Sequence, residues 1–398
     1  MKINYKKLRS QYEKYGATQS CRLLRVAIDG GDIDLGGFSI RQCAEEMIGR
    51  AAVEAMDPRN GSTAILEAGD GVDTTAFSNI TGQLLISKIM ESYTQEAFVL
   101  SSIIPNISTR LDGEKIPGIA KLKEDTQTVH PGMPYPSMGF GEDYVETPAT
   151  TKRGFIVPVT KEAVFFDRTN LILSRAAEVG EVLGINKEKR LLDMLIGVTN
   201  NYKWKVVTYD TYSTTGTGAT SGHAGGRSLT GVINELTNML VDWTDLDEVE
   251  QLFANILDPN TDEPVLITAN QVLVCPAYRH ALNRIINATE IRYTASGAAT
   301  ETIASNPLNG YTGRESRLMY RRLIASGVSA SDAAKYWFVG DFARAFAYME
   351  NWPITVTQAP ANSEAEFTQD IVARFKVSER GAAAVINPRY VVMSTGTT

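Results

Sequence analysis

The feature that most constrains this chain is an alternation near its C-terminal end. Ile371, Ala373, Phe375, Val377 and Glu379 interleave with Val372, Arg374, Lys376, Ser378 and Arg380, the two-residue period of one half-buried β-strand. Ten residues at about 3.3 Å each make a strand of roughly 33 Å, long for a globular domain. Gly381 then permits a bend, residues 382–386 run apolar, Asn387-Pro388 marks a turn, and 390–393 resume an extended pattern.

A second constraint lies in residues 105–151. These 47 residues show no helical period, and Pro105, Pro117, Pro131, Pro134, Pro136 and Pro148 are interleaved with Gly113, Gly118, Gly132, Gly139 and Gly141. A loop of this length is uncommon inside a compact domain and usually has a function. Folded back as a two-stranded ribbon it reaches roughly 60–75 Å. One parent domain cannot cover both faces of such an arm, and an isolated hairpin is marginal in water. A neighbouring copy of the same chain is the natural cover; an active-site lid and a disordered linker are the alternatives.

The rest of the chain mixes helical and extended patterns. Residues 39–57 form an amphipathic helix with Ser39 as N-cap and Ile40, Cys43, Ala44, Met47, Ile48, Ala51 and Ala55 on one stripe, ended by Asp57-Pro58. An extended arm over 60–79, a helix over 82–94 and a strand over 98–104 follow. After the ribbon come a strand over 155–166 and the longest helical pattern, 170–198. In it Ile172, Ala176, Val179 and Leu183 share a face continued by Leu191, Leu195 and Val198. It spans about 40 Å if continuous, with Gly180 and Gly184 as the point of a bend. A Gly/Ser/Thr loop over 212–228, a helix over 229–243, a strand over 265–274, a helix over 276–287 and a strand over 337–348 complete the reading. Asn351-Trp352-Pro353 then turns the chain into an extended 354–357, and the mixture is of the α+β kind.

Composition excludes several classes. With 43% hydrophobic and 21% charged residues in 398, the chain is globular and large enough for two or three domains. Its charged N-terminus carries no signal-peptide pattern, and no run approaches 18 apolar residues, so a soluble protein kept in a cytosol is expected. Cys21, Cys43 and Cys275 lack C-x-x-C spacing, which argues against a disulfide framework and a structural zinc. Sequons beginning at Asn60, Asn79, Asn106 and Asn287 carry no meaning without export. A net charge of −7 disfavours a dedicated nucleic-acid binder. Residues 1–28 nevertheless hold Lys2, Lys6, Lys7, Arg9, Lys14, Arg22 and Arg25 against the single acid Glu13. That end is either a solvated basic tail or a DNA-facing segment.

Catalytic signatures are missing. TGTGATSGHAGG at 215–226 resembles a phosphate loop but spaces its glycines as G-x-G-x-x-x-G, with no Gly-Lys-Ser/Thr after them. His130, His223 and His280 are far apart, and neither H-E-x-x-H nor G-x-S-x-G occurs. Asp242, Asp245, Asp247, Glu248 and Glu250 read as a solvated helix terminus, with a cation site as the alternative. Arg314, Arg317, Arg321 and Arg322 follow helical spacing and suit pairing with acids of the same or a neighbouring subunit. No enzyme activity, cofactor or metal is expected.

The order of the C-terminal strand, Glu379-Arg380, the small apolar run, Asn387-Pro388-Arg389 and a closing strand resembles the C-terminus of tailed-bacteriophage major capsid proteins. Strand, proline-rich arm, strand and long helix over about 80–200 are similar to that family's extended loop and spine helix. The resemblance, which extends to herpesvirus capsid floors and encapsulins, implies an α+β phage major capsid fold. It would comprise an N-terminal arm, an extended β-hairpin loop, a peripheral domain with the spine helix, and an axial domain. Boundaries follow at 1–60 for an N-terminal extension, 61–104 for the arm and lead-in helix, 105–153 for the loop, 154–228 for the peripheral domain, 229–350 for the axial domain and 351–398 for the return to the peripheral domain. Residues 1–60 have no family counterpart; a scaffold-like element, an arm on a neighbour and a DNA-facing segment are all open, and the presence of Met1 favours their retention.

The function implied is a major head protein forming hexamers and pentamers of an icosahedral shell around packaged double-stranded DNA. An encapsulin-like compartment is the near alternative, and an α/β enzyme with a lid loop the distant one. Arg110, Lys115, Lys121, Lys123, Glu142, Asp143, Arg314, Arg317, Arg374, Glu379 and Arg380 are then candidates for inter-subunit contact. Lys2, Lys6, Lys7, Arg9, Lys187, Lys189 and Arg190 are candidates to face DNA through weak non-specific contacts. Partners implied are many copies of the chain, portal and scaffolding proteins and a cement or decoration protein, with no membrane; the expected location is the virion, assembled in host cytoplasm. Some relatives cross-link a loop Lys to a peripheral Asn helped by a Glu. Aligned on Glu379-Arg380, those two positions are Ile371 and Ser378 here, so no isopeptide bond is expected.

Overall fold

The computed structural model describes residues 5–29, 40–47, 50, 71–94, 97–118, 129–133, 143–160, 171–198, 202–217, 229–258, 263–294, 301–308, 310–359 and 371–397. In chain order these form helices α1 Tyr5–Asp29, α2 Ile40–Met47, α3 Gly71–Tyr93 and α4 Leu100–Ile103, then strands β1 Asn106–Ser108, β2 Lys115–Pro117, β3 Tyr144–Glu146 and β4 Thr151–Thr160. Helix α5 Leu171–Ile196, β5 Tyr202–Trp204, β6 Val207–Tyr209, β7 Glu235–Leu236, α6 Trp243–Ala254, β8 Gln271–Val274 and α7 Arg279–Asn287 follow. The remainder is β9 Glu290–Thr294, β10 Glu301–Ser305, β11 Thr312–Glu315, α8 Arg317–Ala325, α9 Ala330–Ala333, β12 Trp337–Gly340, α10 Phe342–Ala345, β13 Phe346–Gln358, β14 Ile371–Val385 and β15 Val391–Ser394. The chain divides into two units.

The first unit is Met1–Glu96, Lys152–Asn186 and Trp352–Arg380. Helices α1, α2 and α3 pack together, burying Tyr12 and Leu24, Cys43 and Ala44, and Leu84, Leu85 and Ile89. The basic N-terminal segment is therefore a packed helix over Tyr5–Asp29 and not a solvated tail. Residues 71–79, expected as extended arm, are helical; the expected arm over 60–70 and most of the expected helix beyond Met47 lie outside the described residues. Gly180 marks contact, not a bend: a Cβ there would stand 2.3 Å from the Ile89 carbonyl oxygen. Strand β14 bears out the alternation, with Phe375, Val377 and Glu379 buried and Lys376 exposed. Ala359 donates its amide to the Arg374 carbonyl and the Thr355 hydroxyl donates to that of Ser378. Later residues of β13 thus meet earlier ones of β14, the antiparallel pattern. The expected turn at Asn351-Trp352-Pro353 is instead continuous β13.

The second unit is Ala97–Thr151, Lys187–Asn351 and Gly381–Thr398. Its centre is a five-stranded mixed sheet in the order β11-β8-β12-β15-β7. All four residues of β12 and of β15 are buried, as expected of strands covered on both faces. Helix α6 buries Leu246, Val249 and Phe253, α7 buries Leu282 and Ile285, and α8 buries Met319 and Leu323, and all join one core with Trp337, Phe338, Phe342 and Phe346. The expected strand over 337–348 is interrupted by α10, whose first turn Asp341 caps, and that over 265–274 is confined to Gln271–Val274. Residues 98–104 form a helical turn, not a strand. The 229–243 segment is not helical either: β7 pairs with β15, and the helix starts at Trp243 behind a reciprocal Asp242–Asp245 capping box. The acidic cluster is a helix N-terminus, as expected. Gly381 continues β14; a Cβ there would meet the Met349 carbonyl oxygen at 2.7 Å.

The 105–151 segment does fold back on itself. Lys115 pairs with Glu146 and Pro117 with Tyr144, but the base is four-stranded, because the β5–β6 hairpin extends it in the order β2-β3-β5-β6. Residues 119–128 and 134–142 of the segment lie outside the described ones. The hairpin turns on Lys205 and Val206, at φ 47° and 73°, the handedness a tight two-residue turn demands and one that a β-branched residue rarely takes.

Candidate assembly surfaces

At the root of the ribbon, opposite charges and aromatic rings lock the strands. Lys115 Nζ lies 4.0 Å from Glu146 and 4.1 Å from the Tyr144 ring centroid. Asp143 accepts from Trp204 Nε1 and pairs with Lys205 at 3.9 Å. Asp112 caps the far side, accepting from the Thr150 amide at 2.8 Å. Lys115 and Asp143, expected at subunit contacts, are thus engaged within their own sheet, while Arg110 is exposed. Lys121, Lys123 and Glu142 lie outside the described residues.

The arginine run separates by element. Arg314 is exposed on β11 and Arg317 is 84% exposed at the start of α8, 3.5 Å from Glu315, which also meets Arg279 at 3.2 Å. Arg322 instead makes a two-pronged bond to Asp193 of α5, both contacts at 2.7 Å, so it belongs to the unit's own framework.

Two of the helix-borne DNA candidates, Lys187 and Arg190, are engaged within the unit in the same way. Lys187 is 5% exposed, its ammonium 4.3 Å from the Tyr348 ring and 3.4 Å from Asn106 Oδ1. Arg190 donates to the Tyr348 hydroxyl at 3.2 Å, and Lys189 is half-buried. Cations spent on a ring and an amide inside one unit are not presented to phosphate. On α1, Arg9 bonds Glu13 at 3.0 Å and the Glu46 carbonyl at 3.0 Å. Lys2 lies outside the described residues, and of the Lys6 and Lys7 side chains nothing is described.

Between them stands Glu188, which sequence reasoning passed over. Its two carboxylate oxygens accept from the Leu100 and Ser101 amides at 2.8 and 2.9 Å. This carboxylate caps the helical turn that an apolar run had suggested was a strand. Burial pushes its carboxyl above the ordinary range, opposed by those backbone bonds. Asn234 was also missed: its amide donates to the Thr211, Pro388 and Val391 carbonyls and its Oδ1 accepts from the Ser213 amide. No local pattern signals either residue, because each partner is distant in sequence.

In the first unit, Glu379 is 3% exposed and accepts from the Tyr93 hydroxyl at 2.9 Å, an internal bond and not a presented contact. The opposite face of the sheet is cationic. Lys152 and Lys376 are exposed, Arg380 lies over the Trp352 ring at 5.6 Å, and the buried Arg374 Nε has no acceptor among the described residues. Lys152, Arg153, Lys376 and Ser378 line a cleft of about 230 Å³.

Chemistry has little foothold. Burial pushes the thiols of Cys43 and Cys275 up to about 12, which removes them as nucleophiles at neutral pH. No group of metal-ligating side chains converges among the described residues, and no described helix is long and apolar enough to cross a membrane.

The chain belongs to the phage capsid protein family, whose model matches residues 144–394, more than half of its length. It is a capsid component. No curated protein sequence matches it. Among solved structures it is similar to a chain of Mycobacterium phage Bobi, at 14% identity over 74% of this chain and 89% of that one with a TM-score of 0.41. A native GTA particle capsid matches at 10% identity over 76% and 90% with a TM-score of 0.45. An encapsulin complex from Synechococcus elongatus matches at 11% over 75% and 87% with a TM-score of 0.41.

Proposed function

We propose that this chain is the major head protein of a tailed phage, forming hexamers and pentamers of an icosahedral shell around packaged double-stranded DNA. The observation that carries the reading is the family match over residues 144–394. The fold-back of the proline-rich segment, with Lys115 paired to Glu146, supports it, since a hairpin that continued beyond this root would need cover to be stable in water. In this reading the 105–153 ribbon is the extended loop, residues 229–350 form the axial domain, and the C-terminal strand belongs to a peripheral domain. Arg110, Arg314, Arg317, Arg374 and Arg380 meet acids of adjacent copies, with Lys121, Lys123 and Glu142 of the loop. Interfaces of this kind bury far more than a transient contact. Scaffolding, portal and cement proteins are the further partners, and assembly takes place in the host cytoplasm.

The test is microscopy of the purified full chain, alone and with its scaffolding partner. Closed shells built of rings of five and six, whose contents during infection are DNA, are the expected result. A compact monomer that stays small under both conditions overturns the reading, and shells loaded with an enzyme overturn its phage-head part.

A further inference from the structure

Strand β4 ends the sheet ordered β1-β13-β14-β4, so no other described strand lies along its outer side. Its first six residues, 151–156, are all exposed. Gly154 seats this stretch tightly on its neighbour, since a Cβ there would stand 2.1 Å from the Val377 carbonyl oxygen of β14. Lys152 and Arg153 are thereby gathered with Lys376 at one cleft, beside Phe155 and Ile156.

The charge of this cleft has one sign. Lys152, Arg153 and Lys376 make no ion pair among the described residues, and no described carboxylate lines the cleft. In a chain whose 46 acids outnumber its 39 bases, three neighbouring bases without an acid stand apart from the average surface. Arg374 and Arg380 follow at two-residue steps on the same side of β14 and strengthen the field. Apolar surface lies next to it, with Phe155 45% and Ile156 63% exposed. The phosphates of a nucleic-acid duplex would answer the cations and leave that surface wet. A peptide bearing carboxylates and aliphatic side chains answers both. The chain's own acidic run at 242–250 is not such a peptide, because it opens helix α6. Its Asp245 accepts from the Val241 and Asp242 amides, Asp247 from Gln251 and Glu250 from Tyr311.

We propose that the β4–β14 cleft docks an extended segment, acidic at one end and aliphatic at the other, carried by a protein other than this chain. Its carboxylates pair with Lys152, Arg153 and Lys376, and its aliphatic side chains cover Phe155 and Ile156. The segment lies along β4, where main-chain bonds to the edge strand add to the side-chain contacts. Shell formation does not depend on this contact, so the inference goes beyond the shell reading.

Fluorescence anisotropy tests it, with a labelled synthetic peptide Val-Leu-Thr-Glu-Glu-Glu titrated into purified full-chain subunits at low salt. The wild type is expected to bind this peptide, and to bind a version with lysines in place of the glutamates about a hundredfold more weakly. Lys152→Glu combined with Lys376→Glu should keep the wild-type melting curve and lose about tenfold or more in affinity. Should that pair fail to fold, Lys152→Gln with Lys376→Gln carries the same comparison, with a loss of about threefold or more. Equal binding of the two peptides, or an affinity unchanged by the substitutions, overturns the inference. Tighter binding of a short DNA duplex through the same lysines overturns it in favour of a nucleic acid. A folded charge-reversed subunit that no longer assembles with its own copies overturns it in favour of a second copy. Whether the wild type forms shells is read separately by microscopy, and the shell reading stands or falls on that alone.

Discussion

Arg389→Met should unfold the second unit more readily than any surface change. Arg389 Nη1 stands 3.0 Å from Asp258 Oδ2, with side-chain exposures of 4% and 0%, and its Nε donates to Asn387 Oδ1 at 3.1 Å. Methionine keeps most of the aliphatic stem and deletes the charge. Asp258 then loses that guanidinium in a site water does not reach, a loss of about 3–5 kcal/mol. At about 1.4 kcal/mol per factor of ten, the folded population shifts by two to four orders of magnitude. Replacing Asp258 by Leu as well removes the stranded charge and should recover at least half of the loss, because a buried pair and a same-sized apolar pair are often close in stability. Denaturant melts of unassembled subunits, followed through the buried indole of Trp337, give both numbers. A loss below about 1 kcal/mol for Arg389→Met, or a double variant no better than the single, would refute the reasoning.

Three other outcomes follow from the geometry. Gly180→Ala should destabilise the first unit by about 1–3 kcal/mol even though alanine is the better helix former, because the new methyl meets a backbone carbonyl that cannot rotate away; a stabilised variant in a thermal melt would show the helices are not held so closely. Val206→Gly should stabilise by about 1 kcal/mol by relieving a left-handed β-branched residue, and an unchanged denaturation midpoint would count against that. Burial raises the Glu188 carboxyl, so the folded chain holds that proton more tightly than the unfolded one, and the side chain's contribution falls as pH rises from the ordinary glutamate value through the raised one. The stability of wild type minus that of Glu188→Gln should therefore shrink from acidic to neutral pH; a difference that grows would sink the assignment.

Periodicity served where an element lies half in and half out of a core. Residues 371–380 declare their strand because Phe375 and Val377 face inward while Lys376 faces solvent, and α5 spans Leu171–Ile196 within two residues of its expected bounds. It failed for short apolar runs, which look alike as strand or helix. The 98–104 run became a helical turn under a carboxylate 88 positions away, and 229–243 was drawn out by Asn234 and β15. For the assembly surfaces, charge was legible and direction was not. Lys187 and Lys376 are both lysines in patterned segments, and only tertiary packing decides that one meets Tyr348 and the other solvent.

Strand β15 sits between β12 and β7 in the central sheet, although β7 is translated well over a hundred residues earlier. At bacterial elongation speeds that gap is on the order of 10–30 s, during which β7 and the Asn234 amide lack their partners in β15 and the turn before it. The nascent subunit must therefore finish its body after synthesis of β15, and a cell flooded with such chains would place an early, heavy load on its chaperones.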